Sequence, residues 1–459
     1  MTVSKARILL LVGIAGYVAA FQWMYITWLS PTFDYWGFTY EPPPMPGLIL
    51  SCVMSVLPGL WLPLNLTRPS QLITWVLFIT VLVPSMFVPW YMAMRSSESV
   101  AVLLVSLFAG FCLVSASDRI PLWKIRAASS PRLIFWPAFW IGFAALVTWV
   151  VAVYIGQFRL VGFGEIYEQL RFSGQEVAAG TGVSYAVMWL SGALVPFLMT
   201  WAISRRKYLW VLLGAATQVM LYSTAGLKSI LLSVAMIPLI YAMVSWRRIP
   251  FGLQVTGLTV FGFLILNGAN LVKGDLSPAH LMLSALVFMR TFGISGLSTA
   301  QYHDFFLDHP QTYYSHINGI SLLVDYPYER ALGREVGYFY SGNLDLNSNA
   351  HLWCTDGLAA WGIPGIIVIS ILCAMMFWLL DSVAQDHPVN FSATAVTFAA
   401  LNLSNASLFT SLLSGGLILI FLMLFLMPRK TNIVATESVP DLEPPEGSLL
   451  SPQLARLRH

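Results

Sequence analysis

The chain has 459 residues, of which 57% are hydrophobic and only 10% are charged. Soluble globular domains carry about 25% charged residues, so this composition excludes an ordinary soluble protein. The net charge of +3 reflects the basic residues that flank apolar segments, and it gives no indication of nucleic-acid binding. The four cysteines are too few and too scattered to indicate a disulfide framework.

Repeated apolar runs define the fold class. A hydrocarbon core about 30 Å thick requires about 20 apolar residues per helix, and many segments of this chain come close to that length. They predict an all-α polytopic membrane protein with about twelve transmembrane helices. The predicted helices cover residues 8–29, 47–64, 71–91, 100–117, 133–155, 186–203, 209–223, 229–246, 251–272, 362–380, 391–409 and 413–428.

The distribution of basic residues predicts the orientation of these helices, because cytoplasmic segments of membrane proteins are enriched in Lys and Arg. With the N-terminus inside, the cytoplasmic segments hold 16 of the 24 basic residues, whereas the outer segments hold 8 basic and 14 acidic residues. Both termini are then cytoplasmic. Residues 1–430 form a single membrane domain, and the Pro-rich residues 431–459 form a disordered cytoplasmic tail. The positions that report this orientation are Arg126, Arg206 and Arg248 inside, and His316 and Asp345 outside.

The largest outer loop covers residues 273–361, between predicted helices nine and ten. Near its start, Ser277 and Pro278 read as an N-cap followed by a first-turn proline. The apolar run that follows, HLMLSALVFM, has only ten residues. It is too short to span the membrane and predicts a re-entrant or interfacial helix. The loop also holds five of the seven histidines of the chain, namely His280, His303, His309, His316 and His351.

This enrichment in histidine, together with many tyrosines, favours an active loop. Histidine titrates near neutral pH, and aromatic rings offer flat apolar faces with polar tips that suit amphiphilic ligands such as sugar rings. A folded cap whose His and Tyr bridge water and protein has the same composition and remains the alternative. A metal site is less favoured, because the H-D-x3-D-H spacing of His303 and His309 does not place ligands on one helical face.

Basic residues of the outer face form a second group of candidates, because Lys and Arg are normally scarce there. Arginine forks onto phosphate oxygens with two parallel hydrogen bonds. Lys228, in the tight hairpin STAGLKSIL, would lie beside a helix N-terminus, which is a natural anion site. Arg290 and Lys228 have no acidic sequence neighbour and are favoured as anion-binding residues, whereas Arg330 is expected to pair with Glu329.

Two segments of the large loop resemble those of the bacterial O-antigen polymerases, which join undecaprenyl-diphosphate-linked oligosaccharide repeats on the outer face of the inner membrane. The segment VFMRTFGISGLSTAQYHDFFLDHP resembles the entry to the fifth outer loop of these polymerases. The segment NSNAHLWCTDGLAAWGIPG resembles the exit from that loop, with Gly362 and Gly365 as its closing G-x-x-G. The dominance of the third and fifth outer loops is also similar. The family is related to the O-antigen ligases.

The resemblance implies a C-type-glycosyltransferase-like fold in which outer-face basic residues bind the lipid diphosphate. Here those residues are Arg171, Lys228 and Arg290. Some polymerases carry an Arg-x10-Gly motif in the third and fifth outer loops. Arg171 and Gly182 fit this motif, whereas Gln301 stands where the motif that begins at Arg290 requires its glycine.

The implied reaction is glycosyl transfer with a lipid diphosphate as leaving group, without a metal or another cofactor. Outer-face cations would stabilise the leaving diphosphate, and a general base would accept the proton of the acceptor hydroxyl. The histidine proposed as catalytic in the ligases falls on His351, and Asp356 could orient or replace it. Many C-type glycosyltransferases instead use an acid of the first outer loop, usually with a divalent metal, which leaves Asp34 and Glu41 as alternatives.

The implied location is the bacterial inner membrane, and the implied partners are the lipid-linked oligosaccharide and the lipid bilayer, with a chain-length regulator as a further possible partner. An O-antigen ligase, which differs only in its acceptor, remains an alternative. A transporter or lipid-oligosaccharide flippase is a second alternative. It is less favoured, because the predicted helices contain almost no charge and no visible repeat.

Overall fold

A computed structural model describes residues 3–125, 131–155, 182–226, 228–272, 277–317 and 319–428. Within these ranges every regular element is a helix. Several sequence predictions fall outside the described residues. They concern Arg126, Arg171, most of the outer segment 156–185, and the tail 431–459.

The helices follow the apolar runs of the sequence. In chain order they are α1 (Val3–Trp36), α2 (Met45–Leu60), α3 (Ser70–Met92), α4 (Ser97–Arg119), α5 (Arg132–Val153), α6 (Val183–Ser204), α7 (Tyr208–Ala225), α8 (Lys228–Ser245), α9 (Phe251–Val272), α10 (Pro278–Asp308), α11 (Leu332–Ser341), α12 (Trp353–Ala384), α13 (Val389–Ala395), α14 (Thr397–Leu403), α15 (Leu408–Leu412) and α16 (Leu417–Leu426).

Among the described residues, eight helices are long and apolar enough to cross a membrane: α1, α3, α4, α5, α6, α9, α10 and α12. This confirms the prediction of an all-α polytopic membrane protein. The predicted count of twelve spans is not confirmed, because α7 is not among these eight helices and α2, the described part of α8, and α16 are shorter. The predicted span 391–409 is divided into α13 and α14, since Val396 between them has φ −91° and ψ 5°.

Three helices, α1, α3 and α9, run in the same direction through the bundle. The contacts that fix their direction, in order along α1, are Gly13–Thr256, Tyr17–Ile79, Gln22–Tyr91 and Thr27–Asn267. All three helices therefore finish at the same end of the bundle. We call it the loop end.

The opposite end, which we call the basic end, carries the start of α3 and the finish of α12. Asp381 of α12 accepts hydrogen bonds from the backbone N–H and the hydroxyl of Ser70, at 3.0 and 2.6 Å. Trp378 Nε1 donates to the carbonyl of Pro121 at 2.9 Å, and Arg68 donates to a neighbouring carbonyl at 3.1 Å. These bonds hold the segment before α3, the segment after α4 and the end of α12 together at the basic end.

Helix α10 enters and leaves the bundle at the loop end. Its contacts in chain order are His280–Asn270, Phe288–Phe263, Ser295–Thr80, Thr299–Ser85 and Asp304–Arg95. The first two partners lie on α9, and the second of them is farther from the loop end than the first. The later partners lie on α3 and just after it, and each is closer to the loop end than the one before. The helix therefore dips into the bundle and returns, with the nine-residue π-helical stretch Ala285–Gly293 at the turning point.

The sequence predicted a ten-residue apolar helix here, whereas α10 has 31 residues. The prediction was too short because the helix continues beyond the apolar run through Ser295, Ser298 and Thr299, which hydropathy does not register. These small polar side chains are buried, and each bonds a backbone carbonyl. Length and composition alone would let α10 cross a membrane, but its contacts favour the re-entrant course.

The course of α10 can be tested by cysteine labelling in a chain whose four native cysteines have been replaced. Ala279→Cys and Leu307→Cys, exposed positions near the two ends of α10, should react with an impermeant thiol reagent from the same side of the membrane. Arg248→Cys, just before α9 at the basic end, is the control and should react from the other side. Reaction of the two α10 positions from opposite sides would mean that α10 crosses the membrane.

Candidate functional site

A cavity of about 1020 Å³ lies at the loop end of the bundle. It is bounded by the final residues of α1, the end of α3, the turn between α7 and α8, one face of α10, and the end of α11. The segment 343–349 after α11 and the segment 401–405 at the end of α14 complete it. Elements that are distant in sequence therefore meet around one space, which has the size of a ligand pocket.

One part of the lining is apolar and contains many methionines. Methionine is unbranched and flexible, so it adapts to irregular apolar ligands. A wall of this kind suits a hydrocarbon chain better than a flat polar molecule. The apolar lining residues are Met92, Met94, Leu232, Met236, Met282, Leu286, Met289, Ile294, Leu297, Phe398 and Leu401.

Arg290 supplies a cation to this cavity. It lies in the π-helical stretch of α10, and its guanidinium stands 5.2 Å from the centre of the Trp36 ring, which also lines the cavity. Gly226 and Ser229 line the same cavity, so the chain position of Lys228 is beside it, although the Lys228 side chain is outside the described residues. Of the three predicted diphosphate-binding residues, Arg290 is thus at the cavity, Lys228 is adjacent in sequence to its lining, and Arg171 is not described.

A second part of the lining is rich in carboxamide side chains. Each carboxamide offers two donors and an acceptor, which match the hydroxyl groups of a polyol such as a sugar. The carboxamides come from α10, from the segment after α11 and from the segment around the end of α14. They are Gln301, Asn343, Asn347, Asn349, Asn402 and Asn405.

Asp345 is the one carboxylate among the described residues that line this cavity. Its backbone N–H donates to Asn343 Oδ1 at 2.9 Å. The segment is also fixed at Ser348, whose N–H donates to the Gly333 carbonyl at 2.8 Å and whose carbonyl accepts from the Tyr302 hydroxyl at 3.0 Å. Sequence reasoning used Asp345 only as a marker of the outer face; the signal it passed over was the cluster of asparagines in NLDLNSN.

His351, the predicted base, does not line the cavity. It is completely buried, and its Nε2 lies 2.9 Å from Thr299 Oγ1 and 3.3 Å from Cys354 Sγ. Burial lowers the pKa of the His351 imidazole to about 3, so the ring is neutral at pH 7. Sequence reasoning expected an accessible ring of ordinary pKa. The ring is buried because α10 packs over it, with Thr299 in contact with the histidine. Thr299 also contacts Ser85 of α3 at 2.8 Å.

Asp356, the predicted alternative base, is also buried and outside the cavity lining. Its Oδ2 accepts the backbone N–H of Leu408 at 2.6 Å. Its Oδ1 lies 3.3 Å from His316 Nε2, and the other nitrogen of that ring lies 2.9 Å from Thr312 Oγ1. The carboxylate thus joins the start of α12 to the segment after α10 and to the start of α15.

Asp34 and Glu41, the alternatives from the first outer loop, are exposed. Their backbones shape the rim, since Gly37 N–H donates to the Asp34 carbonyl at 2.7 Å and Glu41 N–H donates to the Tyr91 carbonyl at 2.8 Å. Neither residue lines the cavity, although Gly37 does.

Other charged groups of the loop end form ion pairs. Arg95 pairs with Asp304 at 2.5 Å and also with Asp308, the two acids of the H-D-x3-D-H pattern. Arg330 pairs with Glu335 at 3.3 Å, where sequence reasoning expected Glu329. In the described parts of the chain, no group of three or more His, Cys, Asp or Glu side chains is arranged to hold a metal ion.

Comparison with known proteins adds no further constraint. No family model, no curated protein and no solved structure matches this chain.

The contacts of Thr299 predict a structural role for the buried histidine. Thr299→Val keeps the shape of the side chain but removes the hydroxyl, which leaves His351 Nε2 and the Ser85 hydroxyl short of a partner. Such a loss costs about 1–3 kcal/mol, and we expect a corresponding fall in stability in thermal unfolding of the detergent-solubilised protein. Thr299→Ser, which keeps the hydroxyl, should remain close to the wild type. Equal stability of Thr299→Val and wild type would contradict the role.

Proposed function

We propose that this chain is a membrane glycosyltransferase that polymerises oligosaccharide repeats linked to undecaprenyl diphosphate. The observation that carries the proposal is the cavity at the loop end, which combines a methionine-rich wall, one arginine on an aromatic ring and a carboxamide-rich wall. A polyprenyl-diphosphate saccharide has three matching parts: a hydrocarbon chain, an anionic diphosphate and a polyhydroxylated sugar.

The proposed reaction forms a bond between an acceptor hydroxyl oxygen and the anomeric carbon of the donor sugar. The bond between that carbon and the diphosphate oxygen breaks, and the lipid diphosphate leaves with the electron pair. A cation beside the leaving oxygens stabilises the charge that develops there. In this proposal Arg290 does so with its two-pronged guanidinium, and Lys228 and Arg171 assist it, without a metal.

The general base is a separate question. The proposal inherited from the sequence, in which His351 or Asp356 accepts the acceptor proton, requires a movement that opens the buried ring or carboxylate to the cavity. A base must come within hydrogen-bonding distance of the proton that it removes. Both groups instead bond to neighbouring elements of the bundle.

The proposal also assigns the loop end to the periplasm of a bacterial inner membrane and the basic end to the cytoplasm. It rests on the positive-inside rule, together with Arg68 and Arg119 flanking the segments at the basic end. The cavity would then face the side on which lipid-linked repeats are joined.

The proposal is tested with the lipid that cells accumulate when they lack this chain. The lipid fraction should contain an oligosaccharide on a polyprenyl diphosphate, and the purified chain in lipid nanodiscs should convert it to polymer. Arg290→Ala should lower the rate by about 100-fold or more, because the leaving group loses a charge-assisted partner. Arg290→Lys should be intermediate, since a point charge does not replace a planar fork. Arg248→Ala, at the basic end, is the control and should match wild type.

Three outcomes would redirect the assignment. Transfer of the saccharide to lipid A, and not to a second repeat, would indicate a ligase. Movement of the lipid across a vesicle bilayer without a new glycosidic bond would indicate a flippase. Absence of any turnover or binding of the accumulated lipid would reject the proposal.

A further inference from the structure

We infer that the carboxamide-rich wall is the acceptor subsite for a hydroxyl-rich saccharide chain, and that Asp345 is the residue that takes the proton from the attacking hydroxyl. This inference rests on the proposed function and adds to it the position of the acceptor and the identity of the base.

The described lining contains a cation at Arg290 and a carboxylate at Asp345, on different elements. Arg290 belongs to α10 beside the methionines, whereas Asp345 belongs to the segment after α11 among the asparagines. The leaving group requires a cation and the attacking hydroxyl requires a base. The lining of one cavity thus holds both the cation and the carboxylate that the reaction requires.

Asp345 is an exposed residue of the cavity lining, and its backbone N–H donates to Asn343 Oδ1. Within the described ranges, no side chain pairs with it, in contrast to the carboxylates of Asp304 and Asp356. Its segment is anchored to other elements at Ser348, through Tyr302 and Gly333. A carboxylate on an anchored segment is positioned to accept a proton without first breaking another bond.

Asn347 and Asn349, in the same segment, extend the inference to the saccharide itself. No hydrogen bond is formed by either carboxamide group with the described part of the chain. Each is therefore able to donate to and accept from sugar hydroxyls. Ser348 lies between them, and its carbonyl accepts a hydrogen bond from the Tyr302 hydroxyl. This bond holds the backbone between the two amides in place.

Space for the rest of an acceptor chain lies on the far side of Asp345. This residue also borders a second, smaller cavity of about 430 Å³, together with Glu329, Arg330, Arg334 and Leu344. A saccharide of several units could thus lie in the second cavity and present its terminal hydroxyl to the carboxylate. In the proposed step, that hydroxyl gives its proton to Asp345 while its oxygen bonds to the anomeric carbon and the lipid diphosphate leaves.

The test compares Asp345→Asn with Asp325→Asn, an exposed carboxylate of the same loop that borders neither cavity. With the accumulated lipid-linked oligosaccharide as substrate in nanodiscs, Asp345→Asn should lower the polymerisation rate by about 100-fold or more. Binding of the lipid donor should stay within about twofold of wild type, because Arg290 and the apolar wall are intact. Asp345→Glu should recover part of the rate, and Asp325→Asn should match wild type.

A double variant, Asn347→Ala with Asn349→Ala, tests the saccharide contacts separately. It should raise the KM for the accumulated lipid, which is both donor and acceptor in this assay, while kcat falls less, since the base is retained. If Asp345→Asn keeps half of the wild-type rate or more while Arg290→Ala is inactive, the base lies elsewhere and the proposed function stands. If wild type neither binds nor polymerises the accumulated lipid, the proposed function fails and the acceptor subsite fails with it.

Discussion

The dip of α10 into the bundle is the constraint on which the loop end depends. Its π-helical stretch closes hydrogen bonds five residues apart, as Ile294 N–H does with the Met289 carbonyl. Thr291 Oγ1 donates to the Leu286 carbonyl at 2.9 Å, so the widened turn leaves fewer polar groups without partners. In an apolar environment each unsatisfied group costs several kcal/mol. The wide turn is therefore tolerated because nearby side chains complete its bonding.

Two glycines let α10 come close enough to its neighbours to make this turn. A Cβ atom at Gly293 would lie 2.8 Å from a Leu29 side-chain carbon, and one at Gly296 would lie 2.5 Å from a Val88 side-chain carbon. At Gly296 the same Cβ would also lie 2.8 Å from the Pro84 carbonyl oxygen, so a larger residue there would push α10 away from α3, whereas at Gly293 the Leu29 side chain would have to move. The same turn carries Arg290 to the cavity, so the position of the cation follows from the packing of the backbone.

Much of the fold could be predicted from the sequence, because apolar length is a local property. The runs at 71–91 and 251–272 correspond closely to α3 and α9. The site could be predicted only in part. Arg290 stands out in the sequence because cations are scarce on the outer face, whereas Asp345 does not, because acids are common there. Histidines are enriched in the large loop, yet His351 bonds to Thr299 and His316 to Asp356. Sequence counts do not show which side chains fold inward.

The position of the Arg290 guanidinium beside the Trp36 ring helps to keep a cation in a half-apolar cavity. Such a cation–π pair contributes about 0.5–2 kcal/mol, depending on how dry the site is. In the proposed reaction the donor would reach this arginine from the methionine side, through the bilayer. The acceptor would arrive from the side of Asp345, where asparagines replace water around its hydroxyls. In this proposal the two substrates meet in the one cavity that both residues line, where Arg290 stabilises the leaving diphosphate and Asp345 takes the proton.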